Sequence, residues 1–239
     1  PLPAGCAAQV NVKKAGGGPT YTTIMGAVNA LSKTLASDTC VVIRDTQTYS
    51  ESVQVRGFSS AEGYQLKIMS DPAFISSAPV VSPPANSTAA FFVQNTSVTI
   101  LDISVLGANN MPYGVFASSA YVTLSSVNVD SGGKIYNAGM SISSYSAVSY
   151  SSITVTSSYG LYTSGTLSTL SRSTITSRSI FGVHALFLDG ASSNTISNSF
   201  ISKSTGSSAV RFTAGPNAGY NSITLSTITL NSYTGTGGA

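Results

Sequence analysis

Few side chains in this 239-residue sequence are equipped for chemistry: eight Asp and Glu, eleven Lys and Arg, one His and two Cys. Asp45 and Glu51 lie close together, with Arg44 and Arg56 nearby. Two carboxyl groups in that arrangement could serve as acid and nucleophile in glycoside hydrolysis. The competing reading is a solvated turn held by ordinary ion pairs, and it carries more weight. Asp45 and Glu51 therefore stand as fallback catalytic candidates only. His184, in GVHALFLDG, is close to Asp189, which allows an acid–base pair. A lone strand histidine is more often structural, and Asp189-Gly190 is first a turn signal. Alternation sets His184 with Leu186 and Leu188, or opposite them if a bulge intervenes. No Gly-x-Ser-x-Gly elbow is present, and one His with two Cys builds no metal cluster. Neither a metal nor a cofactor is expected.

The two cysteines, Cys6 and Cys40, both fall in the first forty residues. An even pair in an apparently exported chain favours a disulfide over two buried thiols. The sequence begins at Pro1 with no signal peptide, and is read as a mature secreted chain acting outside the cell or at its surface.

Composition narrows the partners. Only 8% of residues are charged, against about a quarter in ordinary globular domains. The sequence holds 44 Ser and 26 Thr, so hydroxyls rather than charges cover the surface. A net charge of +3 without a basic run argues against nucleic acid. No stretch approaches the roughly 20 apolar residues that span a bilayer.

The elements that must position these residues are short. Residues 1–19 read as an extended segment. In 20–36, Ile24, Val28, Leu31 and Leu35 share one helical face, Thr residues stand at the N-cap, and Lys33 suits the far end of the dipole. Strand-like runs follow in CVVIRD, ESVQV and YQLKIM. The proline-rich stretch 71–88 reads as a loop with at most an edge strand.

Across 90–230 one pattern recurs, as in YVTLSSVNVD (121–130): two short alternating stretches with a polar step between them. The first-half anchors are Ile100, Leu124, Tyr150, Leu170, Ile196 and Ile223, at intervals of 24, 26, 20, 26 and 27 residues. Val105, Val129, Val155, Ile175, Ile201 and Ile228 follow five residues later. Gly114, Gly139, Gly160 and Gly182 each open a further short segment. Such a period marks a solenoid. Neither a leucine framework nor long helical runs are present, so the expected fold is all-β: a right-handed parallel β-helix of about eight coils in one domain, 20–239, with a single N-terminal capping helix. The polar step is a corner, the six anchors form one core ladder, and Asn194 and Asn221 stack at a turn.

On these residues the chain resembles the pectin-lyase-like superfamily of right-handed β-helix proteins. YTTIMGAVNAL…VVIRDTQTYSESVQV is similar to their entrance, with Thr48-Tyr49-Ser50-Glu51 in place of a Gly-x-Tyr-x-Glu turn, and SSNTISNSFIS looks like a NosD-type repeat. The resemblance implies the fold and says little of activity. The Asp-rich and Arg-Pro-Trp motifs of members that cleave or de-esterify pectin are missing, and the chain has no Trp.

Twelve tyrosines remain, among them Tyr113, Tyr121, Tyr136, Tyr145, Tyr159, Tyr162, Tyr220 and Tyr233. They either pack as good strand formers or bind sugars and protein surfaces. With no visible cap after the last repeat, either the chain is one portion of a longer solenoid or the open coil around Ile223 and Ile228 docks on another copy, and docking is the expectation carried forward. The leading expectation is a secreted, non-enzymatic subunit of an extracellular filament or appendage, assembling head to tail with itself. An extracellular polysaccharide is the second partner considered. The alternatives are a carbohydrate-active enzyme working through Asp45 and Glu51, and a glycan-binding adhesin.

Overall fold

The computed structural model describes residues 2–17, 20–73, 75–179, 183–206, 208–213 and 219–231. Strand pairing among them is parallel throughout, and the chain winds as a β-solenoid of about seven turns, one fewer than expected. A 16-stranded sheet and a 7-stranded sheet face each other across the core.

In the larger sheet, Ala8–Val12 pairs with Thr39–Ile43, which pairs with Leu66–Ser70, then Ser97–Leu106 and Tyr121–Asp130. Beyond Tyr121–Asp130 each turn contributes two short strands, such as Ala147–Ser149 with Ser152–Val155 and Thr169–Ser171 with Thr174–Ser177. The break is the polar corner expected from the sequence. Asp102, Ser126, Tyr150, Arg172, Asn198 and Leu225 occupy it, all with φ between 47° and 54°. A left-handed residue turns the strand sharply, so apolar residues on both sides of it reach one core.

The register corrects one rung of the expected ladder. Leu124 pairs with Val148, and Val148 with Leu170, so the column runs Ile100–Leu124–Val148–Leu170–Ile196–Ile223. Tyr150 is instead the corner residue and is 55% exposed. The second column takes Ile153 rather than Val155 for the same reason. The first column also extends down through Ile68 and Val41 to Val10, so the N-terminal segment belongs to the sheet.

The helix is shorter than 20–36: it covers Ile24–Ala30, capped by Thr23, whose hydroxyl accepts Gly26 N–H at 3.0 Å. Residues 33–35 are drawn into tertiary pairing, with Lys33 O and Leu35 N both bonded to Ser59 at 2.8 Å. Those bonds override the apolar spacing of Leu31 and Leu35. Lys33 sits over the Phe58 ring, 3.8 Å from its centroid, not at a helix end. In the proline-rich stretch, Val80–Val81 is a short strand paired on both sides, with Thr48–Tyr49 and with Ser104 and Val105, rather than an edge. Pro79 contributes through its carbonyl, which accepts Ser104 N–H.

Side chains tie the coils together at the corners. Ser151, Ser173, Ser199 and Ser226 form a column in which each hydroxyl accepts the N–H of the preceding coil. A parallel column runs Ser146, Ser168, Asn194 and Asn221, and the expected Asn stack is its upper end: Asn194 Nδ2 donates to Asn221 Oδ1 at 3.0 Å.

The smaller sheet stacks Val53–Arg56, Ala89–Gln94, Met111–Ser118, Ile135–Ile142, Tyr159–Thr163, Leu186–Asp189 and Val210–Thr213. Gly114, Gly139 and Gly160 align in it, and an added Cβ would meet Val129 Cγ1 at 2.7 Å from Gly114 and Ile153 Cγ2 at 2.6 Å from Gly139. Glycine is required there because this position faces the larger sheet with no room for a side chain. Ala185 continues the column, one residue before the paired Leu186. Gly182, assigned to it from the sequence, lies outside the described residues, as do Tyr233 and the tail 232–239.

Candidate functional site

The fallback acids serve different parts of the scaffold. Asp45 accepts the backbone N–H of Lys14 and the hydroxyl of Tyr49, both at 2.7 Å. Tyr49 is buried, and burial followed by the bond to Asp45 raises its pKa. Glu51 accepts Ile24 N–H and Met25 N–H, each at 2.8 Å, and so closes the first turn of the helix. Burial raises the Glu51 pKa, with those two amides opposing. Arg44 pairs with Asp71 at 3.7 Å, and Arg56 lies over the Phe92 ring at 4.4 Å. Both carboxylates act on Tyr49, Asp45 through its bond and Glu51 more weakly through its charge.

Cys6 and Cys40 form a disulfide, their Cα atoms 5.8 Å apart. It fastens the N-terminal segment over an outer apolar cluster of Cys40, Val42 and Met69, with Leu101 beside it. Ile223 completes the core column half-buried, and Ile228 is 45% exposed. Among the described residues no group of three or more His, Cys, Asp and Glu could hold a metal ion, and no helix is long and apolar enough to cross a membrane.

A gathering of aromatic and charged side chains lies on the outer face of the smaller sheet. It arises from the glycine column. Because the small residue and its successor both turn inward, the residues on either side of them both turn outward. Each rung thus presents an outward pair: Ala89 and Phe92, Tyr113 and Phe116, Ala138 and Ser141, Tyr159 and Tyr162, His184 and Phe187, Ser208 and Arg211. The sequence signature is an outward residue, a small residue, an apolar residue and a second outward residue, as in YGVF (113–116), YGLY (159–162) and HALF (184–187).

The rings contact one another across the rungs. Phe92 stacks on Phe116 at 5.3 Å, and Phe116 on Tyr113 at 4.4 Å. Tyr159 lies 5.1 Å from Phe187 and 6.0 Å from Tyr162. Between the two groups, Ala138 and Ser141 are buried. An arginine closes each end: Arg56 over Phe92, and Arg211 over Phe187 at 5.6 Å. Asp189 lies at the edge, accepting Tyr162 Oη at 3.0 Å and Thr213 Oγ1 at 2.6 Å. Burial, then the Asp189 bond, raises the Tyr162 pKa.

His184 belongs to this face rather than to the core with Leu186. Its ring lies against Tyr159 and Phe187 and is only 2% exposed. Nδ1 is 3.1 Å from Ser208 O, and Nε2 is 3.4 Å from Arg211 Nη1. That pattern fits a neutral ring protonated on Nδ1, with Arg211 donating to Nε2. Burial lowers its pKa, and the charges of Arg211 and Lys203 push the same way against the Ser208 bond. The His184–Asp189 acid–base pair, the less favoured reading of the sequence, is not among the bonds of the described residues: Asp189 is bonded to Tyr162 and Thr213.

Other exposed tyrosines lie elsewhere. Tyr121 and Tyr145 meet edge to face at 5.6 Å along a corner of the larger sheet, Tyr220 is also exposed, and Tyr136 is exposed near the start of the smaller-sheet strand Ile135–Ile142. The fold and this face together define a parallel β-solenoid with one aromatic side and one hydroxyl-covered side. A scan against protein-family models matches no family, and a search of curated proteins returns no relative.

Proposed function

We propose that this chain is a non-enzymatic structural protein of the extracellular space, a β-helical subunit of a filament or surface appendage and a distant member of the pectin-lyase-like solenoids. The observation that carries the reading is the use made of the carboxylates. Asp45 holds Tyr49 and the Lys14 backbone, and Glu51 holds the helix, so both acids work as scaffold. The corner columns of serine and asparagine are used in the same way, as coil-to-coil ties. The Cys6–Cys40 disulfide agrees with an oxidising compartment. Head-to-tail stacking of copies would repeat the ladder that already joins coil to coil, with each new hydrogen bond contributing about 1 kcal/mol net.

Electron microscopy of the natively secreted material, with and without reductant, tests this. Ordered filaments support it, and dispersed particles at high concentration sink it. Turnover of a polysaccharide that disappears in both Asp45→Asn and Glu51→Gln would replace it with the enzymatic reading.

A further inference from the structure

We infer that the outer face of the smaller sheet is a binding site for a glycan chain, seated on Tyr159, Tyr162 and Phe187 and held at its edge by Asp189 and Arg211. Three observations converge on a sugar polymer. First, the rings are outward and only partly buried, although an adjacent core offered a place for them. Flat aromatic surface of this kind pairs with the apolar C–H face of a pyranose ring.

Second, the polar groups at the rim match hydroxyls rather than charge. Asp189 spends one contact on each oxygen, with Tyr162 and with Thr213, and a carboxylate accepts about four bonds in all. It can therefore take further hydroxyl donors. Tyr162 donates to Asp189 and its oxygen takes a bond from Ser164, so the acceptor capacity at the rim rests with Asp189. Arg211 is exposed and offers guanidinium donors beside the Phe187 ring. Donor, acceptor and apolar plane within one rung of each other complement a ring carrying neighbouring hydroxyls. The cations at the ends, Arg56 and Arg211, and the carboxylate Asp189 leave the face with little net charge, so a neutral polyol meets it without a desolvated charge of its own.

Third, the face is long. From Phe92 to Arg211 five steps of about 4.8 Å cover about 24 Å along the solenoid axis, enough for several sugar units. A polymer lying along the axis would meet both ring clusters, whereas a monosaccharide would meet one. His184 supports the seat from behind: neutral and bonded to Ser208, it holds its ring against Phe187 and its Nε2 toward Arg211. Its role is positioning.

The site is independent of the assembly reading, so filaments and glycan binding succeed or fail separately. Affinity electrophoresis of the whole protein in gels containing a neutral glucan, a neutral mannan or a polygalacturonate, followed by titration calorimetry, reads it out. Retardation by a neutral polymer that persists at high salt is expected. Phe187→Ala and Tyr162→Ala should each weaken it roughly tenfold or more. Tyr145→Ala and Tyr220→Ala, on other faces, should leave it unchanged. Should the ring truncations unfold the chain, Asp189→Asn and Arg211→Gln carry the test, with circular dichroism as the check on folding. Binding to none of the polymers overturns the proposal. So does binding that survives the ring and rim variants, or binding confined to the acidic polymer and abolished by salt.

Discussion

Ser173 joins two coils through a single oxygen: its Oγ accepts the N–H of Ser151 at 3.1 Å and donates to the carbonyl of Ser171 in its own coil at 2.7 Å. Ser151, Ser199 and Ser226 make the same pair of bonds where the chain turns. At these corners the strand ladder is interrupted, and the hydroxyl stands in for the missing backbone acceptor. Ser173→Ala strips Ser151 of its partner in a buried position and should cost about 1–3 kcal/mol. Thermal melts of the variant should show it, with Ser202→Ala on the outer surface as a near-neutral control. Equal melting temperatures for the two would mean that water replaces the hydroxyl.

Strain at the other side of the corner predicts a gain. Leu167 has φ 56° and is 51% exposed, so it holds a left-handed conformation that a leucine adopts only at a cost. That conformation is disfavoured by roughly 1–2 kcal/mol for ordinary residues, and Asn or Gly relieves it. Ser193 fills the same position in the next turn. Leu167→Asn should therefore raise the unfolding midpoint in urea, by about 1 kcal/mol of stability. A loss would show that the exposed leucine packs on something at this corner.

The two register corrections, Val148 for Tyr150 and Ile153 for Val155, have one physical origin. Period-two alternation fixes which face a residue takes, but a shift of two residues preserves it. Tyr150 and Val148 share parity, so apolar pattern alone cannot choose between them. What chooses is the left-handed corner, which lies at Ser126 and Tyr150 and leaves Val148 for the core. The core columns were otherwise legible, because Ile, Leu and Val repeat at nearly constant intervals. The aromatic face was not, since it depends on two adjacent inward residues and breaks the period-two alternation. Glycines at 114, 139 and 160 were visible in the sequence; the outward residues on either side of each short segment were the unused signal.

The glycine column gives a sharper test of the packing between sheets. A Cβ on Gly160 would lie 2.5 Å from the Ala185 carbonyl oxygen and against Ile175 Cγ2, with backbone on one side. Gly160→Ala should destabilise by about 1–3 kcal/mol through overpacking. Ile175→Ala in the same chain removes the obstructing Cγ2 and should recover part of the Gly160→Ala loss, which a double-mutant cycle on thermal melts would measure. Additive effects would mean that the carbonyl of Ala185, rather than Ile175, sets the limit.

His184 predicts the acid limit of the fold. Its folded pKa is lowered by burial and by Arg211 and Lys203, whereas an unfolded histidine titrates near 6.5. Between the lowered value and about 6.5 the unfolded chain binds the extra proton, so stability rises with pH in that window. The contribution of the neutral ring is complete above about 6.5 and is lost as pH falls toward the folded value. Glu51 acts in the opposite sense, because burial raises its pKa and the folded state takes up its proton first. Comparing the native chain with His184→Gln separates the two, since Glu51 is common to both. The native protein should lose stability between pH 7 and pH 5 more steeply than the variant, and parallel profiles would mean that the imidazole is charged in place. If the ring holds Arg211 as its Nε2 contact indicates, glycan binding should hold through that interval and weaken only as pH falls through the lowered folded value, in the native protein and not in His184→Gln.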